Sequence, residues 1–207
     1  MKTFFTADLH FDAESLYRKS SRIRPFDMID WNAMMIDCIN TAVGREDRLV
    51  IAGDFAYKRP GYWRQQIRCR NVVLILGNHD QESKCRSVFG GNLYLTHLFK
   101  FFNGTRIFVS HTPNAFWDGS HKEWYHVYGH CHGQRETYLD AIWPNRRSMD
   151  VSPESAYLLF DEWRLFSDAE IYDRLCQRSG HDPLSFYRDY QKNLRQELVE
   201  KGLEECG

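Results

Sequence analysis

Short apolar runs alternate with polar or helical segments along most of the chain. The runs rich in β-branched residues predict strands at residues 3–7, 49–52, 72–76, 93–96, 107–110, 124–128, 147–151 and 157–160. From Asp27, apolar residues recur at helical spacing as far as Ala42, and Gly44 is placed to end that helix. The pattern therefore predicts an α/β fold whose second half is rich in strands.

The C-terminal part of the chain has a different pattern. Ser167 and Glu170 have the spacing of a helix capping box, and a second, highly charged helical pattern follows Pro183. We therefore expect a domain over residues 1–166 and a helical extension over residues 167–207 that packs on the same domain. The apolar residues of this extension could instead cover a homodimer surface or a cleft.

Composition and charge narrow the class of protein. Hydrophobic residues make up 43% and charged residues 27% of the 207 residues, as in ordinary globular proteins. A net charge of -1 provides no overall attraction to phosphate backbones, so nucleic acid is neither implied nor excluded. The six cysteines lack CxxC spacing, and the sequence shows no secretory leader or apolar run of about 20 residues. We expect free thiols, the cytoplasm and no membrane.

Potential metal ligands occur directly after several of the apolar runs. The end of a strand in an α/β sheet is where such folds place ligands. Carboxylate, imidazole and amide oxygen together suit divalent metal ions. The ligand clusters are Asp8-Leu9-His10, Gly53-Asp54, Gly77-Asn78-His79-Asp80, Ser110-His111 and Gly129-His130-Cys131-His132. Together they predict a two-metal phosphoesterase.

The spacing within the clusters suggests how the ions are shared. Positions two apart in an extended segment lie on the same side, so Asp8 and His10 are expected to bind one ion. The same parity applies to His130 and His132, although irregular backbone could let them bind different ions. Asp54 is the candidate bridge, since a short carboxylate after a glycine leaves room for water. Two cations about 3.5 to 4 Å apart can share an activated hydroxide.

The order DxH, GD, GNHD, SH and GHxH resembles the calcineurin-like metallophosphoesterases over residues 1–160. The resemblance implies a four-layer αββα sandwich of two mixed β-sheets flanked by helices. It implies two divalent ions, manganese first, with iron, zinc, nickel or cobalt as alternatives. The resemblance also implies that one metal is held by Asp8, His10 and His132, the other by Asn78, His111 and His130, and that Asp54 bridges them.

The same resemblance suggests the chemistry around the metals. It implies that His79 protonates the leaving oxygen or steadies the phosphoryl group, with Asp80 orienting it. The chain continues from Asp54 with Phe55 and lacks the Asp-Arg-Gly signature of the family's protein phosphatases. This favours a phosphodiesterase, with phosphomonoesters also possible, acting on nucleotide-like or other small substrates. The alternatives are a metal-dependent nuclease and a non-catalytic metal-binding scaffold for a protein partner.

Basic residues in loops near the ligand clusters are candidate substrate contacts. Arg24 and Lys58 are predicted to reach the substrate phosphate together with Asn78, and Arg22 and Arg59 are weaker hypotheses. The alternative for each is an exposed side chain of a solvated loop, the usual place for Lys and Arg. Further hypotheses place Asn114, Phe116 and Trp117 along the wall of the cleft, and His121 and His126 on the surface or in the core.

Overall fold

Two β-sheets form the centre of the molecule. The computed structural model describes residues 1–19, 24–100, 103–179, 192 and 195–200. The strands are β1 (Thr3–Thr6), β2 (Arg48–Ala52), β3 (Asn71–Ile75), β4 (Leu93–Tyr94), β5 (Thr96–Lys100), β6 (Arg106–Ser110), β7 (Tyr125–Tyr128), β8 (Ser148–Asp150) and β9 (Phe166–Ser167). The first sheet has the order β4-β3-β2-β1-β9 and the second the order β5-β6-β7-β8.

Both sheets are mixed. Strands β1 to β4 are parallel, with Phe4 opposite Leu49 and Leu49 opposite Val72, and β9 is antiparallel to β1. In the second sheet, β6, β7 and β8 are parallel and β5 is antiparallel to β6. Two mixed sheets flanked by helices confirm the predicted α/β sandwich.

Seven α-helices in the described residues between 14 and 175 connect or flank these strands. They are α1 (Glu14–Lys19), α2 (Met28–Ala42), α3 (Pro60–Gln66), α4 (Glu82–Phe89), α5 (Glu136–Ile142), α6 (Pro153–Phe160) and α7 (Asp168–Leu175). Helix α2 begins after Asp27, whose side chain accepts the Asp30 N–H, and it buries Trp31, Met35 and Ile39. The helix predicted from apolar spacing is therefore confirmed.

Alternate residues of the central strand β2 pack into two different cores. Leu49 and Ile51 belong to the core between the first sheet and helices α2 to α4. Val50 and Ala52 belong to the core between the two sheets. Burial on both faces explains the continuous apolar sequence of the strand, as expected for parallel strands covered on both sides.

Two strand predictions are wrong. The predicted strand at residues 93–96 is divided between β4 and β5, which belong to different sheets, and Leu95 between them is 73% exposed. The predicted strand at residues 157–160 is the end of helix α6. Ser152 caps this helix by accepting the Ser155 N–H, and Pro153 occupies its first turn. The start signal of the helix outweighs the short apolar run at its end.

The C-terminal extension is described only in part. The capping box is confirmed, because Ser167 accepts the Glu170 N–H and the Glu170 carboxylate accepts the Ser167 N–H at the start of α7. Of the predicted helical pattern after Pro183, only residues 192 and 195–200 lie within the described residues. No helix in the described ranges has both the length and the apolar character that crossing a lipid bilayer requires.

Candidate metal centre

The ligand clusters lie in the loops that follow the carboxyl ends of β1, β2, β3, β6 and β7. The structure brings together the seven side chains predicted as metal ligands, although their role as ligands stays a prediction. The shared edge arises because the strands of each sheet that carry them are parallel and the two sheets pack against each other.

One half of the centre is formed by Asp8, His10 and His132. Asp8 Oδ1 lies 3.7 Å from His10 Nε2 and 3.9 Å from His132 Nε2. The two imidazole rings are stacked, with centroids 5.2 Å apart and planes 7° apart. Donor atoms of all three residues lie within 4.8 Å of one another, which suits a single metal ion.

Two buried atoms of this half are without a hydrogen-bond partner in the described part of the chain. These atoms are Asp8 Oδ1 and His10 Nε2, and both side chains are buried. A buried polar atom left unsatisfied costs about 1–3 kcal/mol, so such atoms need an explanation. A divalent cation would satisfy both, and the residues present therefore fit the metal that the sequence predicts.

The backbone of the ligand residues is not extended. Asp8, His10, His130 and His132 have φ values of 52°, 50°, 69° and 50°, in the left-handed region. The prediction that strand alternation places Asp8 and His10 on one side is therefore wrong, since tight turns bring them together. Non-glycine residues in this region cost about 1–3 kcal/mol each and are concentrated at functional sites.

The other half contains Asn78, His111 and His130. Asn78 Oδ1 lies 2.9 Å from His111 Nε2 and 2.9 Å from His130 Nδ1. His111 Nδ1 donates to the Ala52 carbonyl at 2.9 Å, which turns Nε2 towards the centre. His130 and His132 thus lie in different halves of the centre. This agrees with the alternative that irregular backbone lets them bind different ions.

Asp54 lies between the two halves. Its Oδ2 is 3.5 Å from His10 Nε2 and 3.4 Å from His111 Nε2. Its Oδ1 accepts the His79 N–H at 2.8 Å. One carboxylate oxygen therefore faces ligands of both halves, as a bridging group would.

Two glycines allow the ligand loops to approach closely. Gly53 has a φ of 93°, and a Cβ there would lie 2.2 Å from His111 Nδ1. A Cβ at Gly129 would lie 2.4 Å from Asp8 Oδ2, the oxygen that accepts the His130 N–H. Any larger residue at either position would displace a predicted ligand.

Burial and neighbouring charges perturb the pKa values at the centre. Burial raises the pKa of Asp8 to about 8 and lowers the pKa of His10 to about 3. Burial opposes charge on Asp54, but the hydrogen bond and charge of His111 outweigh it and lower the pKa of Asp54 to about 2. The same bond raises the pKa of His111 to about 9 against the effect of burial. The metal-free centre therefore holds protons that a cation must displace.

Glu154 supports the first half and was missed by the sequence analysis. It is 3% exposed, and its Oε1 accepts hydrogen bonds from His132 Nδ1 at 2.8 Å and Arg24 Nε at 2.6 Å. Burial opposes ionisation of Glu154, but the charges of Arg24 and His132 lower its pKa to about 2. A carboxylate on the far nitrogen orients a metal-binding imidazole. The start signal at Ser152 and Pro153 could have placed Glu154 in the first turn of a helix.

Arg24 is buried beneath the loop that carries Asp8 and His10. It is 2% exposed and donates to the carbonyl oxygens of Asp8 and Leu9 as well as to Glu154. Its guanidinium lies 3.9 Å from the centroid of the Trp31 ring. Burial and these contacts favour a positioning role for Arg24 beneath the first metal loop, and its substrate contact stays a prediction.

Asp80 bonds to backbone groups, and its role in orienting His79 stays a prediction. Its carboxylate accepts backbone N–H groups of Gly77, Asp54 and Phe55, each at 2.9 Å. These bonds tie the loops after β2 and β3 together and leave the His79 ring to other neighbours. The His79 side chain is exposed, and its ring centroid lies 5.4 Å from that of His10.

The other predicted substrate contacts are mostly engaged elsewhere or stay untested. Lys58 is exposed and remains a prediction, whereas Arg22 lies outside the described residues. Both Arg59 Nε and Nη2 donate to the Asp12 carboxylate at 2.9 Å, so Arg59 is paired within the protein.

The residues after His111 are also partly structural. His126 is buried and hydrogen-bonds the Phe108 carbonyl and the Asn114 N–H, which is a core role. Trp117 is buried and donates to the Trp124 carbonyl, whereas Phe116 and His121 are exposed. A cleft-wall role for Asn114, Phe116 and Trp117 stays a prediction.

Comparison with known proteins agrees with this geometry. The sequence matches the calcineurin-like phosphoesterases over residues 1–205, and a search of curated proteins finds no match. A protein of unknown function from Aquifex aeolicus is 18% identical with a TM-score of 0.66, covering 84% of this chain and 98% of its own, which supports the fold alone. A conserved uncharacterized protein and predicted phosphoesterase from Streptococcus pneumoniae is 15% identical with a TM-score of 0.37 over 63% of this chain and 62% of its own. The match over nearly the whole sequence establishes that the chain belongs to the calcineurin-like phosphoesterase family.

Proposed function

We propose that the chain binds two divalent cations, manganese first, and hydrolyses phosphodiester bonds of small, nucleotide-like substrates. The observation that carries the proposal is Asp54 Oδ2, which lies within 3.5 Å of His10 Nε2 and of His111 Nε2. When bound, a pair of divalent cations supplies acidified water and neutralises charge on the phosphoryl oxygens.

The predicted ligands divide between the two cations. One cation would be held by Asp8, His10 and His132, the other by Asn78, His111 and His130, and Asp54 would contact both. Asp8, His10 and Asp54 are buried, whereas Asn78, His79 and His130 are exposed. The substrate phosphate therefore approaches from the exposed side, where the Asn78 amide is available to it.

His79 is suited to deliver a proton to the leaving oxygen. Its backbone is fixed by the N–H bond to Asp54, and its exposed ring lies beside the His10 ring at the rim. A positioned imidazole acting as general acid contributes about 10²- to 10⁴-fold to a rate.

The first experiment measures metal content and hydrolysis together. Purified chain is assayed for bound metal and for turnover of bis(p-nitrophenyl) phosphate and p-nitrophenyl phosphate, alongside Asp54→Asn and the exposed control His121→Ala. We expect two metal ions per parent chain, faster turnover of the diester, and loss of both metal binding and turnover in Asp54→Asn only. Parent activity in Asp54→Asn, or a chain that binds metal and hydrolyses neither ester, would overturn the proposal.

A second experiment isolates the proton donor. His79→Ala is expected to lose about 10²- to 10⁴-fold on a diester with an unactivated phenyl leaving group. It should lose much less on the corresponding p-nitrophenyl diester, whose leaving oxygen needs little protonation. Equal losses on both diesters would exclude His79 as the general acid.

A further inference from the structure

We propose that Tyr57 is the platform on which a nucleobase of the leaving group stacks, so that the substrate is a phosphodiester between two nucleosides. This inference rests on the proposed function and narrows its substrate class. Tyr57 lies in the loop that follows Asp54, and its ring centroid is 5.5 Å from that of His79, with the planes 36° apart.

The Tyr57 ring is accessible, and the backbone that carries it is anchored by a hydrogen bond. The side chain is 40% exposed, which leaves a large part of an aromatic surface open to solvent. Its backbone N–H donates to the Phe11 carbonyl at 2.8 Å, next to the bridge between Phe11 and Ala56. An accessible aromatic ring on an anchored backbone is the type of surface on which proteins stack bases.

The position of His79 determines which part of the substrate meets Tyr57. A general acid must lie within hydrogen-bond reach of the oxygen that it protonates. The leaving oxygen therefore lies beside His79, and the group attached to that oxygen extends over the neighbouring Tyr57 ring. A nucleoside bonded through this oxygen would bring its base to the ring, whereas a small alkyl group would not reach it.

The charge and shape of the surface beyond Tyr57 favour a nucleotide. Lys58 is exposed and forms no ion pair with the residues that the structure describes, so its positive charge is available to a phosphate. Beyond it, a cavity of about 520 Å³ lies between α2 and α3 and is lined in part by the exposed Tyr62 and by Arg59, which is paired with Asp12. Interleaved aromatic and basic residues are typical of surfaces that bind single-stranded nucleic acid or nucleotides.

The test compares two leaving groups on the same nucleoside phosphate. One substrate is a dinucleoside monophosphate and the other is the methyl ester of the same nucleoside phosphate, with products separated by chromatography. Tyr57→Ala is expected to lower kcat/KM for the dinucleoside substrate about 5- to 150-fold, mainly through KM, the equivalent of about 1–3 kcal/mol of stacking. Tyr57→Phe, which keeps the ring, should stay within about twofold of the parent.

The controls separate stacking from damage to the metal centre. The loss caused by Tyr57→Ala should be much smaller on the methyl ester than on the dinucleoside substrate, and Tyr138→Ala, which alters a 63% exposed tyrosine of α5, should match the parent on both. Unchanged dinucleoside kinetics in Tyr57→Ala, or equal losses on both substrates, would overturn the stacking role while leaving the proposed function intact. A parent chain that hydrolyses neither substrate would overturn both proposals.

A third substrate identifies the source of the base. A single-stranded oligonucleotide of about ten nucleotides presents the same leaving nucleoside followed by further bases. The Tyr57→Ala loss is expected on both the oligonucleotide and the dinucleoside substrate. A higher kcat/KM for the oligonucleotide would identify a strand as the substrate, and a higher value for the dinucleoside would identify a small molecule.

Discussion

Glu154→Gln removes the charge of the residue that links Arg24 to His132, and it keeps the shape of the side chain. In the structure, one carboxylate oxygen accepts from His132 Nδ1 at 2.8 Å and from Arg24 Nε at 2.6 Å. Hydrogen bonds to an ionised group are about twice as strong as neutral ones, so both bonds should weaken. We expect two measurable consequences, one for stability and one for metal binding.

The stability effect follows from burial. The variant removes the buried ion pair between Glu154 and Arg24, and breaking a buried ion pair by changing one partner costs about 3–5 kcal/mol. For a domain of this size, about 2–4 °C of melting temperature is lost per kcal/mol. The metal-free variant should therefore melt about 6–20 °C below the parent. Glu162→Gln, a change at an exposed glutamate, is the matched control and should melt like the parent.

The metal effect should be confined to one half of the centre. Changing a group that orients a metal-binding imidazole typically costs 10- to 100-fold in affinity. Burial lowers the pKa of His132, but Glu154 outweighs it and raises that pKa to about 9. Glu154 therefore stabilises the protonated form of His132 as well as metal binding by His132. In Glu154→Gln, protons compete less strongly with the metal for His132. The loss of metal affinity relative to the parent should therefore be largest near pH 9 and should shrink towards pH 7.

Two-site calorimetric titration with manganese at about pH 7 and about pH 9 measures this effect. We expect weaker binding at the site of Asp8, His10 and His132, and a change below about threefold at the site of Asn78, His111 and His130. At about pH 9, equal weakening at both sites, or unchanged binding at both despite a lower melting temperature, would refute the support assigned to Glu154.

Three further predictions test other parts of the centre. Metal binding near pH 7 should release at least about one proton per chain, because burial raises the pKa of Asp8 to about 8, and metal affinity should therefore fall as the pH falls. Calorimetric titration in buffers of different ionisation enthalpy measures this release, and finding no released proton would contradict the prediction. Gly53→Ala should lose metal and melt early, since its Cβ would lie 2.2 Å from His111 Nδ1, and a parent-like melt with full metal content would count against the packing. Arg24→Ala should lose about 3–5 kcal/mol of unfolding free energy, and its KM at saturating metal should be unchanged. A raised KM with the stability of the parent would instead support the predicted substrate contact of Arg24.

Much of the fold could be predicted because each element carries a local signal. Residues 49–52 of β2 are continuously apolar because both faces of the strand are buried, and α2 shows Trp31, Met35 and Ile39 at helical spacing after its Asp27 cap. The strand predictions fail where a short apolar run has no capping residue or helical spacing of its own. The run at residues 157–160 is long enough for a strand, and only the cap at Ser152 identifies it as the end of a helix.

The grouping of the seven candidate ligands could be predicted, but the residues that support them could not. Asp8, His10 and the other ligands follow apolar runs, a pattern visible in sequence. The partners of Arg24 and Asp80 are backbone groups and a distant glutamate, which only the three-dimensional packing reveals. The extended geometry expected for Asp8 and His10 failed for a related reason, since their left-handed φ values depend on the surrounding structure.

The central claim is that the chain holds two cations that share Asp54, and anomalous scattering from crystals grown with manganese tests it most directly. We predict two anomalous peaks about 3.5 to 4 Å apart, with the Asp54 carboxylate between them. The three other ligands of each half should surround each peak. A single peak, or no peak with the His10 and His111 rings turned apart, would contradict the account.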